Sequence, residues 1–145
     1  MAHRTETHGP PGAAPPGEPR AWDAELVPDA RGRTGRPNPH CPVEFAPAAV
    51  AGRWTTLVLR ELMHGPHSFG ALRGRLPEIS AKVLADRLRT LEERGLLVRD
   101  WLPGFPVRTR YRLTPAGRAL RPLLVELYRT GRALRCAAGT AAPGD

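Results

Sequence analysis

Residues 68–95 decide the fold: Ser68-Phe-Gly-Ala-Leu-Arg-Gly-Arg-Leu-Pro-Glu-Ile-Ser-Ala-Lys-Val-Leu-Ala-Asp-Arg-Leu-Arg-Thr-Leu-Glu-Glu-Arg-Gly95. Ser68 suits the N-cap of a short helix with Phe69, Leu72 and Leu76 on its buried face, and Pro77 closes that helix. After the turn Pro77-Glu78-Ile79-Ser80, a second helix is predicted from Ala81 to Arg94, stopping at Gly95. Winding it at about 100° per residue gathers Leu84, Leu88 and Leu91 and places Lys82, Asp86, Arg89 and Glu93 opposite them. Two short helices joined by a tight turn form the helix-turn-helix pattern.

Downstream of Gly95 the apolar period falls from 3.6 to about 2. Leu96 to Leu102 reads as a strand, Pro103-Gly104-Phe105-Pro106 as a loop, and Arg108 to Thr114 as a second strand. Thr109, Tyr111 and Leu113 share one face of that strand. Arg108, Arg110 and Arg112 share the other, spaced by roughly 6.8 Å with no acid among them. Thr114-Pro115 opens a last helix to about Leu134, where Leu120, Leu123, Leu124, Leu127 and Leu134 form a stripe broader than a two-stranded hairpin can cover, and Pro122 is predicted to kink it. Upstream, a helix starts near Trp54, carries Trp54, Leu57, Val58 and Leu62 on one face and stops at Gly65-Pro66; a shorter one is predicted from about Val43 to Ala51, with Pro47 starting or bending it. The fold class is mainly α with a small β wing (α+β), a winged helix-turn-helix with an extra helix at each end.

The charge lies on the same unit. The chain has 145 residues and a formal charge of +8, and Lys82 is the one lysine among 22 basic residues. Residues 1–40 balance five Arg against five acids and hold eight of the 17 prolines, a composition expected to stay disordered. Residues 41–136 hold 17 basic and eight acidic residues, a net of +9. The ordered domain is expected over 41–135, with a flexible tail at 136–145. So basic and Arg-rich a domain favours an acidic partner, nucleic acid first. There is no apolar run of about 18 residues and no export signal, and two cysteines are too few for a disulfide scaffold, so a cytoplasmic protein associated with the nucleoid through DNA is expected.

In this motif the N-terminal end of the second helix enters the major groove. That assigns base contacts to Ser80, Lys82, Val83 and Asp86, the last able to accept from a cytosine amino group, with Arg87 and Arg89 on phosphates and Arg108 and Arg110 as wing contacts. Arg87 sits at the edge of the leucine stripe, within reach of a phosphate or of a nearby Glu. An ordinary solvated face would explain the helix charges, and protection of an edge strand would explain the wing. The coincidence of both with the helix-turn-helix favours DNA. A winged-helix adaptor for protein or RNA is the alternative.

An enzyme is not expected. Lys82 lies between Ala81 and Val83 and so outside any phosphate-binding loop, and neither His-Glu-x-x-His nor Gly-x-Ser-x-Gly occurs. His40, His64 and His67 read as exposed loop residues, giving no metal and no cofactor.

Cys41-Pro42-Val43-Glu44, Gly52-Arg53-Trp54-Thr55, Arg60-Glu61-Leu62, Phe69-Gly70-Ala71-Leu72-Arg73, Ile79-Ser80, Arg87-Leu88, Leu91-Glu92, Gly95-Leu96 and Tyr111-Arg112-Leu113-Thr114 with Gly117 occur in an order that resembles the HxlR family of bacterial transcription regulators, related to MarR-like and ArsR-like winged helices. The resemblance spans about residues 41–134. It implies a homodimeric regulator, repressor first, on a two-fold operator of double-stranded DNA, dimerised through helices that here are 43–51 and 115–134. It also implies an oxidant or electrophile sensor at Cys41, which precedes a helix start where the dipole favours a thiolate; the other reading is an inert, partly buried Cys. Oxidation would then join Cys41 of one subunit to Cys136 of the other. A small-molecule effector is left open. Two positions depart from the family: Pro47 replaces an apolar helix residue, and Arg110 stands where an acid is common, which would remove an internal salt bridge.

Overall fold

The computed structural model describes residues 21–139. After a 3-10 turn at Ala30–Gly32, the chain forms α1 (Pro42–Val50), α2 (Thr55–Met63), α3 (Phe69–Arg75), α4 (Ala81–Glu93), β1 (Leu97–Leu102), β2 (Arg108–Leu113), α5 (Pro115–Arg118) and α6 (Arg121–Ala137). The helix-turn-helix is α3 and α4, and the antiparallel pair β1 and β2 is the wing.

Local chemistry sets the boundaries. The Ser68 hydroxyl accepts from the Ala71 N–H and the Ser80 hydroxyl from the Val83 N–H, each at 3.1 Å, so both helices of the motif begin on a serine cap. Gly95 ends α4 at φ +72°, where the Leu96 N–H reaches the Leu91 carbonyl and the Gly95 N–H that of Glu92. This Schellman closure folds Leu96 back onto the core beside Leu91, and both are buried. Gly117 has a different task. A Cβ there would lie 2.0 Å from the Leu96 carbonyl oxygen, so its missing side chain lets α5 sit against the turn between α4 and β1.

The core joins α2, α3, α4 and the base of the wing through Val58, Leu59, Leu72, Leu84, Leu88 and Leu91, with Leu97, Tyr111 and Leu113 closing it from the strands. The wing register runs from Leu97 opposite Leu113 to Leu102 opposite Arg108, and the predicted alternation of β2 is present: Tyr111 and Leu113 are buried while Arg108, Arg110 and Arg112 are exposed.

Four expectations need correction. The last helix is broken rather than kinked: α5 ends at Arg118, and Pro122 occupies the first turn of α6, where its absent N–H leaves no partner missing. Helix α6 continues to Ala137, so Cys136 is helical and not part of a tail; residues 140–145 lie outside the described residues. Residues 21–40, expected to be structureless, contain capped turns and contact α1: the Glu44 carboxylate accepts from the Asn38 N–H, and the Cys41 N–H donates to the Asn38 carbonyl. The expectation for residues 1–20 lies outside the described residues. Finally, His67 is a half-buried bridge, its backbone exchanging two hydrogen bonds with Tyr111 and its ring Nδ1 lying 2.7 Å from the Gly65 carbonyl. Pro47 lies inside α1 rather than at its start.

Candidate nucleic-acid interface

Helix α4 uses its two ends differently. At its C-terminal cap, Arg94 Nη1 donates to the Ala49 carbonyl at 2.9 Å, and at the middle of the helix Arg87 Nε donates to the Arg53 carbonyl at 2.7 Å. These bonds clip α4 to the last turn of α1 and to the segment between α1 and α2, where Trp54 adopts a left-handed conformation at φ +75°. Arg87 Nε is therefore committed to backbone, and neither of its sequence alternatives, a phosphate or a neighbouring Glu, describes what that nitrogen does. Arg89 pairs with Asp86 at 3.3 Å on the helix surface. Val83 is half-buried against the core, so only part of it faces outward.

At the N-terminal end, Ser80 and Lys82 are exposed. The Ser80 hydroxyl holds the cap and keeps capacity to donate outward. Lys82 makes no hydrogen bond or ion pair with any described residue. The exposed N-terminal turn is thus the part of α4 that carries an unpaired cation, Lys82, among the described residues.

The wing holds an acid that its second strand does not show. Asp100 stands opposite Arg110 in the register; Arg112 Nε lies 2.7 Å from its carboxylate and Arg110 Nε 3.9 Å. Asp100 on β1 thus supplies a cross-strand ion pair despite the Arg at 110. Arg112 is largely engaged and Arg110 loosely so, while Arg108 is exposed with no partner among the described residues. On the other face the Arg99 guanidinium lies 5.0 Å above the Trp101 ring. Sequence reasoning passed over Arg99; its period-2 place beside Trp101 was the available signal.

The position of α3 rests on a buried carboxylate also missed in the sequence. Glu61 on α2 is 6 % exposed and receives Arg75 Nε at 2.5 Å and Arg60 Nη2 at 3.0 Å. The hydrogen bond from Arg75 holds its carboxyl below the usual carboxylate range; burial opposes this, and the bond from Arg60 adds to it. This pair ties the first helix of the motif to α2.

At the ends of the domain the surface is apolar. Val43 and Phe45 on α1 and Val125, Leu127, Tyr128 and Leu134 on α6 are exposed. A groove of about 530 Å³ runs between α2 and α6, with Leu57, Met63, Leu124 and Tyr128 among its lining. Cys41 is 2 % exposed as the N-cap of α1, whereas Cys136 is exposed on α6. No cluster of His, Cys, Asp or Glu among the described residues could hold a metal ion, and no described helix is long and apolar enough to cross a membrane.

Comparison with known proteins agrees with this architecture. The family model described as HxlR-like helix-turn-helix matches residues 49–136. The chain belongs to the HxlR family. It is therefore a helix-turn-helix transcriptional regulator of a non-enzymatic family. An uncharacterized HTH-type transcriptional regulator of Synechocystis, sll1512, is 40% identical over 91 residues, covering 63% of this chain and 67% of that one. Among solved structures, the redox regulator HypR in its reduced form superposes with a TM-score of 0.63 at 28% identity, covering 69% of this chain and 99% of that one. Diamide-treated YodB of Bacillus subtilis gives a TM-score of 0.56 at 38% identity, covering 61% and 89%.

Proposed function

We propose that the protein is a sequence-specific repressor that binds a two-fold operator in double-stranded DNA as a homodimer. The observation that carries this reading is the division of α4: Arg87 and Arg94 are taken up by backbone carbonyls at the end of α1 and in the turn after it, whereas Ser80 and Lys82 at its first turn are exposed and Lys82 is unpaired among the described residues. Ser80, Lys82, Val83 and Asp86 read base edges, Arg89 exchanges Asp86 for a phosphate, and Arg108 with Arg110 grips the backbone beside the groove. Arg87 orients α4 through Arg53 and contributes to phosphate contact only through its outer nitrogens.

The exposed apolar residues of α1 and α6 support dimerisation through those helices, which would set two recognition helices about 34 Å apart, one turn of DNA. Selection from a random duplex pool by the full chain tests the whole reading. The expected product is an inverted repeat with half-sites one helical turn apart; a protein or RNA adaptor would enrich no sequence.

Response to oxidants or electrophiles through Cys41 is part of this proposal, supported by similarity to HypR, a redox regulator, and to YodB, solved after diamide treatment. Because Cys41 is buried, attack on its thiol requires the turn at 38–41 to open, after which Cys136 of the partner subunit is the candidate resolving thiol. Diamide treatment should then give a dimer band on a nonreducing gel that Cys41→Ser abolishes. An unchanged monomer band in oxidised wild type contradicts it.

A further inference from the structure

We propose that Phe105, at the tip of the wing, acts as an apolar wedge at a base step of the minor groove that the wing faces. This rests on the DNA-binding reading above and adds a specificity-determining residue to it. Phe105 is fully exposed at 107%, with Trp101 at 64% and Val107 at 59%. A lone exposed apolar side chain is ordinary, whereas three at the end of one hairpin mark a contact surface.

The arrangement of charge identifies the contact. The last paired residues of the wing are Trp101 with Thr109 and Leu102 with Arg108. From Leu102 to Val107 the chain carries no charge. Alternation puts Arg99 on the face of Trp101 and Thr109, and Arg108 and Arg110 on the face of Asp100. Each face of the ribbon therefore presents arginine, and the edge between them is apolar. A ribbon pushed between the two phosphate rails of a groove needs positive walls on both sides and a neutral leading edge, and phenylalanine is among the side chains that minor-groove proteins insert between bases. A second copy of this basic domain would instead bring arginine against arginine. Pyrimidine–purine steps unstack most easily, so the wedge selects TA or CA/TG at a fixed distance from the half-site read by α4.

The test uses the full chain and the duplex it selects from a random pool, with 2-aminopurine placed in turn at adenines flanking the half-site. Wild type should raise the fluorescence of one probe several-fold and bend the duplex by about 20° or more in a circular-permutation assay. Phe105→Ala should abolish the rise, reduce the bend and weaken binding about tenfold while the slope of log affinity against log salt stays unchanged. Arg99→Ala and Arg108→Ala should each lower that slope by about 1. Fluorescence at the free-duplex level at every position with wild type, or an undiminished rise with Phe105→Ala, overturns the wedge. If Lys82→Ala and the double variant Arg108→Ala, Arg110→Ala bind as wild type, the DNA-facing assignment fails and the wedge with it. Loss of self-association in Phe105→Ala with DNA binding and fluorescence intact assigns the tip to a second copy and overturns the proposal.

Discussion

Helices α4 and α6 carry similar leucine stripes and end differently. The 13-residue α4 buries Leu84, Leu88 and Leu91, while the 17-residue α6 buries no residue at all. The partner of α4's stripe lies within the chain, in α2, α3 and the strands. For α6, only Leu124 and the preceding Leu120 pack partly against that core, and Leu127, Tyr128 and Leu134 stay uncovered. Amphipathic pattern announces that a helix has a buried face; it does not say whether the covering surface belongs to the same molecule.

The sharpest way to break this contrast is Leu88→Ala, which leaves a void between two helices and should cost about 3 kcal/mol in urea unfolding. Gly117→Ala forces a Cβ against the Leu96 carbonyl and should cost about 2 kcal/mol, visible as a lower melting temperature, though it alters neither stripe.

Glu61→Gln should cost about 2 kcal/mol at neutral pH by removing the charged acceptor of Arg75. Because the folded-state carboxyl titrates below its unfolded value, its contribution is complete above about pH 4.3 and is lost as pH falls through the lower folded value. The stability gap between wild type and variant should therefore be constant from pH 7 to about 5 and close in more acid solution. A gap that widens on acidification would contradict the assigned ion pair. At the small end, Leu127→Asp should change folding by less than about 0.5 kcal/mol in the monomer but shift sedimentation toward the monomer. If instead it unfolds the chain, α6 is part of the core and the contrast with α4 disappears.

What the sequence made legible follows the range of the interactions involved. Ser68, Pro77, Ser80 and Gly95 act within a turn of their own positions, so the helix-turn-helix could be delimited from them to within a residue or so. The wing's alternation is equally local. The break before α6 was misjudged because Pro122 disrupts a helix only where an N–H is needed, and a restart at Arg121 removes the need. Asp100 with Arg112, Glu61 with Arg75, and Arg87 with the Arg53 carbonyl join residues 12 to 34 apart, which periodicity does not connect. These same pairings change the site: they take Arg87 and Arg112 out of the freely available charge and leave Lys82 and Arg108 in it.

The most direct test of DNA recognition by α4 and the wing is a mobility-shift titration of Lys82→Ala and Arg108→Ala against the selected operator and a scrambled duplex over a range of salt. Lys82→Ala should lose about 1–3 kcal/mol of discrimination between the two duplexes, while Arg108→Ala should weaken both alike and lower the salt slope by about 1. Wild-type affinity, discrimination and salt slope in both variants would contradict the account.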